Sequence, residues 1–285
     1  MSSIFVKAPA KVNLYLDIIG KDPIDNYHLV STIIARVPSL CDEITIEPMD
    51  GHFQIVVEID PDSKYSAPEG EDNICFKAAN LLKQEAIESG VFMDLEKKLT
   101  AIKIILKKNI PVRAGCGGGS SDAAAVIKAL NKLWDFNFPP KKLKNIASKI
   151  SMDSAFFIEG SQFAYCTHFG EIIEPLESEI KLNIEIIDTK IEVETAWAYE
   201  NIDLEKCRQN KDKARVIVGA LINDDRETVL ANLHNDFEYL IFEKYPELYK
   251  QVLERCNQTD DTSNKKIILC GSGGCIAVIS VLETN

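Results

Sequence analysis

PVRAGCGGGSSDAAAV, residues 111–126, places four of the chain's 14 glycines within five positions and follows them with two serines and a run of alanines. Glycine loses more backbone freedom on folding than any other residue, so such a cluster needs a local cause. Two causes compete: a tight connection, or a backbone that must lie close to a ligand. The flanks bear on the choice. AIKIILKK, 101–108, is a β-rich run, and after the glycines Val126, Leu130, Leu133 and Trp134 recur at i, i+4, i+7 and i+8, the spacing of an amphipathic helix. The order is therefore strand, glycine loop, serine pair, helix. A helix start leaves backbone N–H groups without partners and carries the positive end of the helix dipole, which suits phosphate oxygens. Ser120 and Ser121 add hydroxyl donors or a metal contact. The stretch is not a Walker A loop, because no lysine follows the last glycine. Nor is it a dinucleotide fingerprint, because no acid closes a following strand. A second glycine turn, CGSGGC at 270–275, lies between two strand-like runs and reads as a hairpin that could bring another flexible backbone to the same site.

Composition narrows the function classes. The chain has 285 residues, 46% hydrophobic and 27% charged, which is ordinary for a globular protein of one large or two smaller domains. The formal net charge is −12, from 44 acidic against 32 basic residues, the reverse of what nucleic-acid binding asks for. Lys7, Lys11, Lys103, Lys107 and Lys108 would still make a local basic spot. No apolar run approaches the roughly 20 residues of a membrane-spanning helix, and the N-terminus lacks the pattern of a secretory signal. Eight scattered cysteines with no C-x-x-C spacing then point to reduced, mostly buried thiols in the cytoplasm, with little support for a zinc site.

Along the chain, 4–19 reads as strand broken at Pro9, and 43–48 with 53–59 as a strand pair joined by MDGH. Helical spacing covers 73–86 and KKLKNIASKI, 141–150. Strands follow within 162–176 and 182–188, and helices at 193–202, 212–221, 226–243 and 245–256. The last run closes as strand, glycine turn and strand. Both halves mix strands and helices without a repeat. The pattern is α+β in two domains, with the division placed at 1–164 and 165–285.

Four ordered segments together resemble the GHMP kinases: PAKVNLYLDIIGKDPIDNYHLVST at 9–32, PVRAGCGGGSSDAAAV with the helix after it, MDSAFFIEG at 152–160, and CGSGGCIAV at 270–278. VETAWAY at 193–199 and NDFE at 235–238 are also similar to family segments. The resemblance implies an α+β fold of two domains, an N-terminal nucleotide domain like one found in a ribosomal protein and a C-terminal ferredoxin-like sandwich. It implies transfer of the ATP γ-phosphoryl group to an alcohol. Asp153 is the implied base and Lys11 its cationic partner. Pro111, Val112, Arg113, Ala114, Gly115, Cys116, Gly117, Gly118, Gly119, Ser120 and Ser121 match the ATP loop, with Ser121 or Ser120 near Mg²⁺. Asn73 and Lys108 match positions around the adenine, Lys108 through its backbone.

Asn13, Tyr27, His28, Thr195, Tyr199 and the turn Gly271, Ser272 and Gly273 match acceptor positions. The long GGGSSD form and the Tyr27–His28 pair resemble the branch that acts on an alcohol carried on a cytidine diphosphate, with two aromatic rings on the cytosine. The partners implied are small molecules, with no nucleic acid and no membrane; monomer and homodimer both stay open. Arg113 stands where glycine is typical, Cys116 where leucine is common, Asn26 where glycine precedes the Tyr–His pair, and Glu194 where serine is frequent. Other GHMP kinases, acting on mevalonate, homoserine or a sugar, are the nearest rival. A non-catalytic nucleotide-binding module is a more distant one.

Overall fold

The computed structural model describes residues 2–90, 99–207, 213–257 and 265–281. They form two compact units, each assembled from separate stretches of chain. The first comprises Met1–Ala10, Pro38–Val112 and Gly117–Gly160; the second comprises Lys11–Val37, Arg113–Cys116 and Ser161–Asn285. The division expected at 164/165 lies just beyond the last crossing at Gly160. The earlier crossings fall inside long strands and the glycine loop, where periodicity carries no sign of them.

In the first unit, the start of β1 (Ile4–Lys21) and the end of β2 (His28–Met49) join β3 (Ile55–Ile59) and β4 (Ala101–Lys107). β4 alternates buried Ile102, Ile104 and Leu106 with half-buried positions, as a one-face-buried strand should. The strands 43–48 and 53–59 exist but do not pair as a hairpin. β4 separates them, antiparallel to β2 and parallel to β3. Alternation reveals a strand and not its partner. Pro9 does not break β1, because the paired register of β1 with its outer neighbour includes only Tyr15 and Leu16. Pro9 thus lies where that edge of β1 is open, a setting in which strands tolerate proline. Helices α1 (Ile74–Glu88), α2 (Gly118–Leu133), α3 (Pro140–Ser148) and α4 (Met152–Glu159) complete the unit.

Glu85, buried on α1, accepts hydrogen bonds from Lys142 and Lys149 of the α3 region. Those ammonium groups hold its carboxyl below the usual glutamate range. A depressed carboxyl stabilises the fold above its unfolded pKa and loses that contribution as pH falls through the folded one. Glu85→Gln is therefore expected to lower stability by about 2 kcal/mol at pH 7, less than a fully buried pair because both lysine ends meet water. The deficit should shrink towards zero below pH 4, read by denaturant midpoints.

The second unit holds the end of β1, the start of β2, β5 (Phe163–His168) and β6 (Ile172–Leu176). β7 (Leu182–Ile187), β9 (Lys265–Leu269) and β10 (Ile276–Val281) make a three-stranded sheet in the order β7-β10-β9. β9 and β10 are the expected hairpin around 270–275. β2 runs unbroken from 28, where its continuous buried run Val30–Ala35 gives no alternation to read. Helices α5 (Thr195–Asn201), α6 (Lys213–Ile222), α7 (Arg226–Ala231), α8 (Glu238–Lys244) and α9 (Pro246–Asn257) fall close to expectation, with one correction. The helix expected over 226–243 is interrupted by β8 (His234–Asn235), which pairs parallel to β1 at Tyr15 and Leu16. Leu16, Ile18, Val193, Phe237, Ile241 and Leu269 lie in the core of this unit.

Candidate active site

In the first unit the glycine loop ends in a left-handed residue. Gly117, at φ 69°, is the N-cap of α2 and has no side chain to cap it. Ser121 N–H donates to the Gly117 carbonyl at 2.9 Å, so the N–H groups before it in the first turn have no acceptor within the helix. Gly118 is tightly confined, since a Cβ there would lie 3.0 Å from Ile110 Cγ2. Gly119 is different: a Cβ would meet only the Ile74 side chain, at 3.5 Å, an ordinary contact. Packing does not require glycine at 119, and glycine weakens a helix by about 1 kcal/mol relative to alanine.

Behind this turn lies a buried charged cluster. Lys108 Nζ donates to Asp42 and, at 2.7 Å, to Asp122 of α2. Asp42 also accepts from the backbone N–H of Asn109 and of Ile110. Burial pushes the Asp122 carboxyl up to about 7, against the pull of Lys108. The backbone of Lys108 is engaged as well: its N–H donates to Ser63 Oγ and its carbonyl accepts from Lys64 and Tyr65. Asn73 is the N-cap of α1, accepting from Cys75 N–H at 2.8 Å and donating to the Pro68 carbonyl. Lys108 and Asn73, the residues expected around the adenine, thus both make hydrogen bonds within this unit. Of the lysines expected to make a basic spot, Lys103 pairs with Glu58 and Lys108 with two acids.

Asp153 is half-buried in the first turn of α4, where an acid suits the positive end of the helix. The Oγ of Ser151, the N-cap, is hydrogen-bonded with Ser120 Oγ at 2.6 Å. Ser121 Oγ is buried and has no hydrogen-bond partner among the described residues.

In the second unit the two glycine stretches meet. A Cβ on Gly115, at φ 78°, would stand 1.6 Å from the Cys270 carbonyl oxygen, and one on Gly273 would stand 2.1 Å from the Ala114 carbonyl carbon. Only glycine permits that approach. Gly271, at φ 53°, lies against Lys11 and Asn13: a Cβ there would be 3.3 Å from Lys11 Nζ and 3.4 Å from Asn13 Oδ1. Lys11 is buried, donating from Nζ to Asn13 Oδ1 at 2.7 Å and from its backbone to the Cys116 carbonyl. Asn13 in turn donates to Thr32 Oγ1 at 2.8 Å. Asn235 holds the turn by donating to the carbonyls of Leu269 and Gly271, and Ser272 donates to Thr195 Oγ1 at 3.2 Å. The structure thus brings Lys11, Asn13, Thr195 and 271–273 together.

Cys116 is a buried free thiol; the Cys270 thiol beside it and burial hold it well above its usual range, against the opposite pull of the Cys275 contact. Arg113, at φ 54°, lies 3.6 Å from Glu194 and 3.7 Å from Glu192, both exposed.

His28 packs its ring on Tyr199, centroids 5.3 Å apart, and Tyr199 meets Phe237 edge-on at 4.8 Å. Burial, with Lys21 nearby, lowers the His28 pKa below the usual histidine value. Tyr27, largely exposed, has its ring centroid 5.5 Å from that of Phe169. Phe169, which packs on His168 at 3.8 Å, escapes sequence reading; its signal is the HFG turn at the end of β5. Asp22 shapes the turn before Tyr27 by accepting from the N–H groups of Ile24 and Asp25, and Asn26 takes the left-handed φ of 59° that glycine would otherwise supply.

The fold and its glycine motifs match those of the GHMP kinases. The profile of the GHMP kinases N terminal domain matches residues 73–161. The 4-diphosphocytidyl-2-C-methyl-D-erythritol kinase of Chlorobium phaeobacteroides is 36% identical over 259 residues, covering 90% of this chain and 84% of that protein. The protein of the same name from Acetivibrio thermocellus is 37% identical, covering 86% and 80% respectively. A crystal structure of 4-(cytidine 5'-diphospho)-2C-methyl-D-erythritol kinase superposes with a TM-score of 0.73 at 25% identity, covering 97% of this chain and 90% of that one. Phosphomevalonate kinase of Streptococcus pneumoniae shares the fold, with a TM-score of 0.69 at 15% identity, over 98% of this chain and 92% of its own. The chain belongs to the 4-diphosphocytidyl-2-C-methyl-D-erythritol kinase family.

Proposed function

We propose that this chain transfers the γ-phosphoryl group of ATP to the 2-hydroxyl of 4-diphosphocytidyl-2-C-methyl-D-erythritol, giving the 2-phosphate in the non-mevalonate route to isoprenoids. The observation that carries the reading is Gly119, a glycine in a helix's first turn that packing does not require and that an approaching phosphate does. Phosphoryl transfer gains chiefly from positioning and charge stabilisation. The N–H groups of the 115–121 segment hold the ATP phosphates. Asp153 accepts the hydroxyl proton, and the Lys11 ammonium, oriented by Asn13, offsets negative charge on the transferring group. Asn13 and the 271–273 turn receive the acceptor.

Among the described residues no three His, Cys, Asp or Glu side chains converge as a metal cage, while the α2 first turn presents two hydroxyls, one of them orphaned. That donor set fits Mg²⁺, which takes one or two protein oxygens and otherwise phosphate and water. Ser121, with Ser120 beside it, would hold the ion, which when bound neutralises phosphate charge. No helix among the described residues is long and apolar enough to cross a membrane. The reading places the enzyme in the cytoplasm, with small-molecule partners only.

Tyr27, Phe169 and Tyr199 supply faces for cytosine, and stacking is worth about 1–3 kcal/mol per base. A neutral His28 offers one donor and one acceptor to the edge that separates cytosine from uracil. Because its pKa is lowered, it gains its proton only below the usual histidine range of about 6.5. KM for the cytidylylated acceptor should therefore stay level from pH 8 to 6.5 and rise at lower pH. His28→Ala should raise it about tenfold at pH 7.5 with kcat little changed, the loss of one polar base contact. An acceptor panel tests the reading: turnover of the cytidylylated alcohol, with none of free methylerythritol, mevalonate or homoserine, is expected. Equal turnover of free methylerythritol would defeat the cytosine assignment.

A further inference from the structure

Ser151 occupies the N-cap of α4 with extended backbone, φ −163° and ψ 141°, yet its side chain makes no capping bond to that helix. Serine is among the most favourable N-caps, and a capping hydroxyl normally contributes about 1 kcal/mol to its own helix. Here the hydroxyl is 2.6 Å from Ser120 Oγ, in the first turn of α2. The backbone at the same point is fixed from both sides: Ser151 N–H donates to the Ala147 carbonyl at 3.2 Å, and its carbonyl accepts from Ser154 N–H at 3.0 Å. Asp153 follows two residues later. One hydroxyl pair thus ties the turn that carries the phosphate-binding N–H groups to the start of the helix that carries the acid.

Resting on the kinase reading above, we propose that Ser151 is a positioning residue: its bond to Ser120 sets where the Asp153 carboxylate stands relative to the first turn of α2. A hydroxyl has one proton to donate and two lone pairs. Ser120 can donate to Ser151 and keep its lone pairs for a cation or a phosphate-bound water, so the link persists when ATP is bound. Replacing Ser120 frees the Ser151 hydroxyl to cap α4 in a slightly different pose, and replacing Ser151 removes no cap, because its side chain makes none. The fold then survives while the acid is misplaced, and displacement by a fraction of an ångström is enough to slow a reaction severely.

The test uses the full chain with ATP and the cytidylylated acceptor, in four variants: Ser151→Ala, Ser151→Thr, Ser120→Ala and the Ser120→Ala/Ser151→Ala double. Ser151→Ala is expected to lower kcat about tenfold, with KM for ATP within about twofold of wild type and an unchanged unfolding midpoint. Ser151→Thr, which keeps the hydroxyl on an extended residue, should restore most of kcat. Removing Ser151 should have no further effect once Ser120 is alanine, because the two hydroxyls act as a unit. Wild-type kcat in Ser151→Ala, a kcat loss that only follows a loss of folded protein, or effects that multiply in the double variant would each overturn the inference. An active wild type beside an unaffected Ser151→Ala defeats this inference alone; a wild type that phosphorylates no acceptor defeats the kinase reading and the inference with it.

Discussion

Asp153→Asn is expected to lower kcat about a thousandfold while the protein folds as before, within the 10²–10⁴ that general-base catalysis supplies. The side chain is half-buried in the first turn of α4, so an isosteric amide keeps its volume and gives up chiefly the charge that suits the helix's positive end. An amide cannot accept the acceptor's proton at neutral pH. KM for ATP should change little, because the contacts proposed for the phosphates are backbone N–H groups of another segment. Lys11→Ala should cost about 10²–10³ in kcat, the scale of losing one preorganised electrostatic contact. Its effect is less clean, since Asn13 Oδ1 loses its donor. Steady-state kinetics with a thermal-unfolding control decide both. Near-normal turnover in either purified variant refutes its role.

The glycine cluster gives the second large prediction, with opposite outcomes at two positions. Gly115→Ala places a methyl 1.6 Å from the Cys270 carbonyl oxygen, at a φ of 78°. The obstacle is backbone, so no rotamer change relieves it. The strain of left-handed alanine adds roughly 1–2 kcal/mol. The total should exceed about 4 kcal/mol, a large share of a typical stability of about 5–15 kcal/mol. The variant should be largely unfolded or aggregated on expression. Gly119→Ala meets only the flexible end of Ile74 and gains helix propensity, so it should fold at least as well as wild type. Its KM for ATP should nevertheless rise tenfold or more, because the new methyl stands where a phosphate must approach. Denaturation midpoints and KM values, compared across the pair, separate glycine that folds the protein from glycine that admits the ligand. A Gly119→Ala enzyme with unchanged KM would remove the observation on which the functional reading rests.

Much of this was legible from residues alone. The strand, glycine loop, serine pair and helix were readable because cap chemistry and periodicity are local. Lys11, Asn13 and the 270–275 turn could be grouped only through the family resemblance. The structure adds the physical reason, in Gly271 pressed against Lys11 Nζ. What sequence could not supply was partnership at a distance. Lys108 is one case: Asp42, a residue with no distinguishing local pattern, pairs with it from far along the chain. Phe169 was missed because a single aromatic in a turn carries no period. The hairpin expected of 43–48 and 53–59 failed for the same reason, since β4 arrives from fifty residues on to lie between them. The 22-residue β2 was only partly seen, because a continuously buried strand has no alternation.

The most direct measurement of the central claim is the fate of the ATP γ-phosphorus in a reaction of the purified chain with ATP, Mg²⁺ and the cytidylylated methylerythritol, followed by phosphorus NMR. The account predicts a new phosphomonoester on the tertiary 2-hydroxyl, formed one-for-one with ADP and only when the cytidylylated alcohol is present. ADP appearing with inorganic phosphate alone, or no ADP at all, would contradict it.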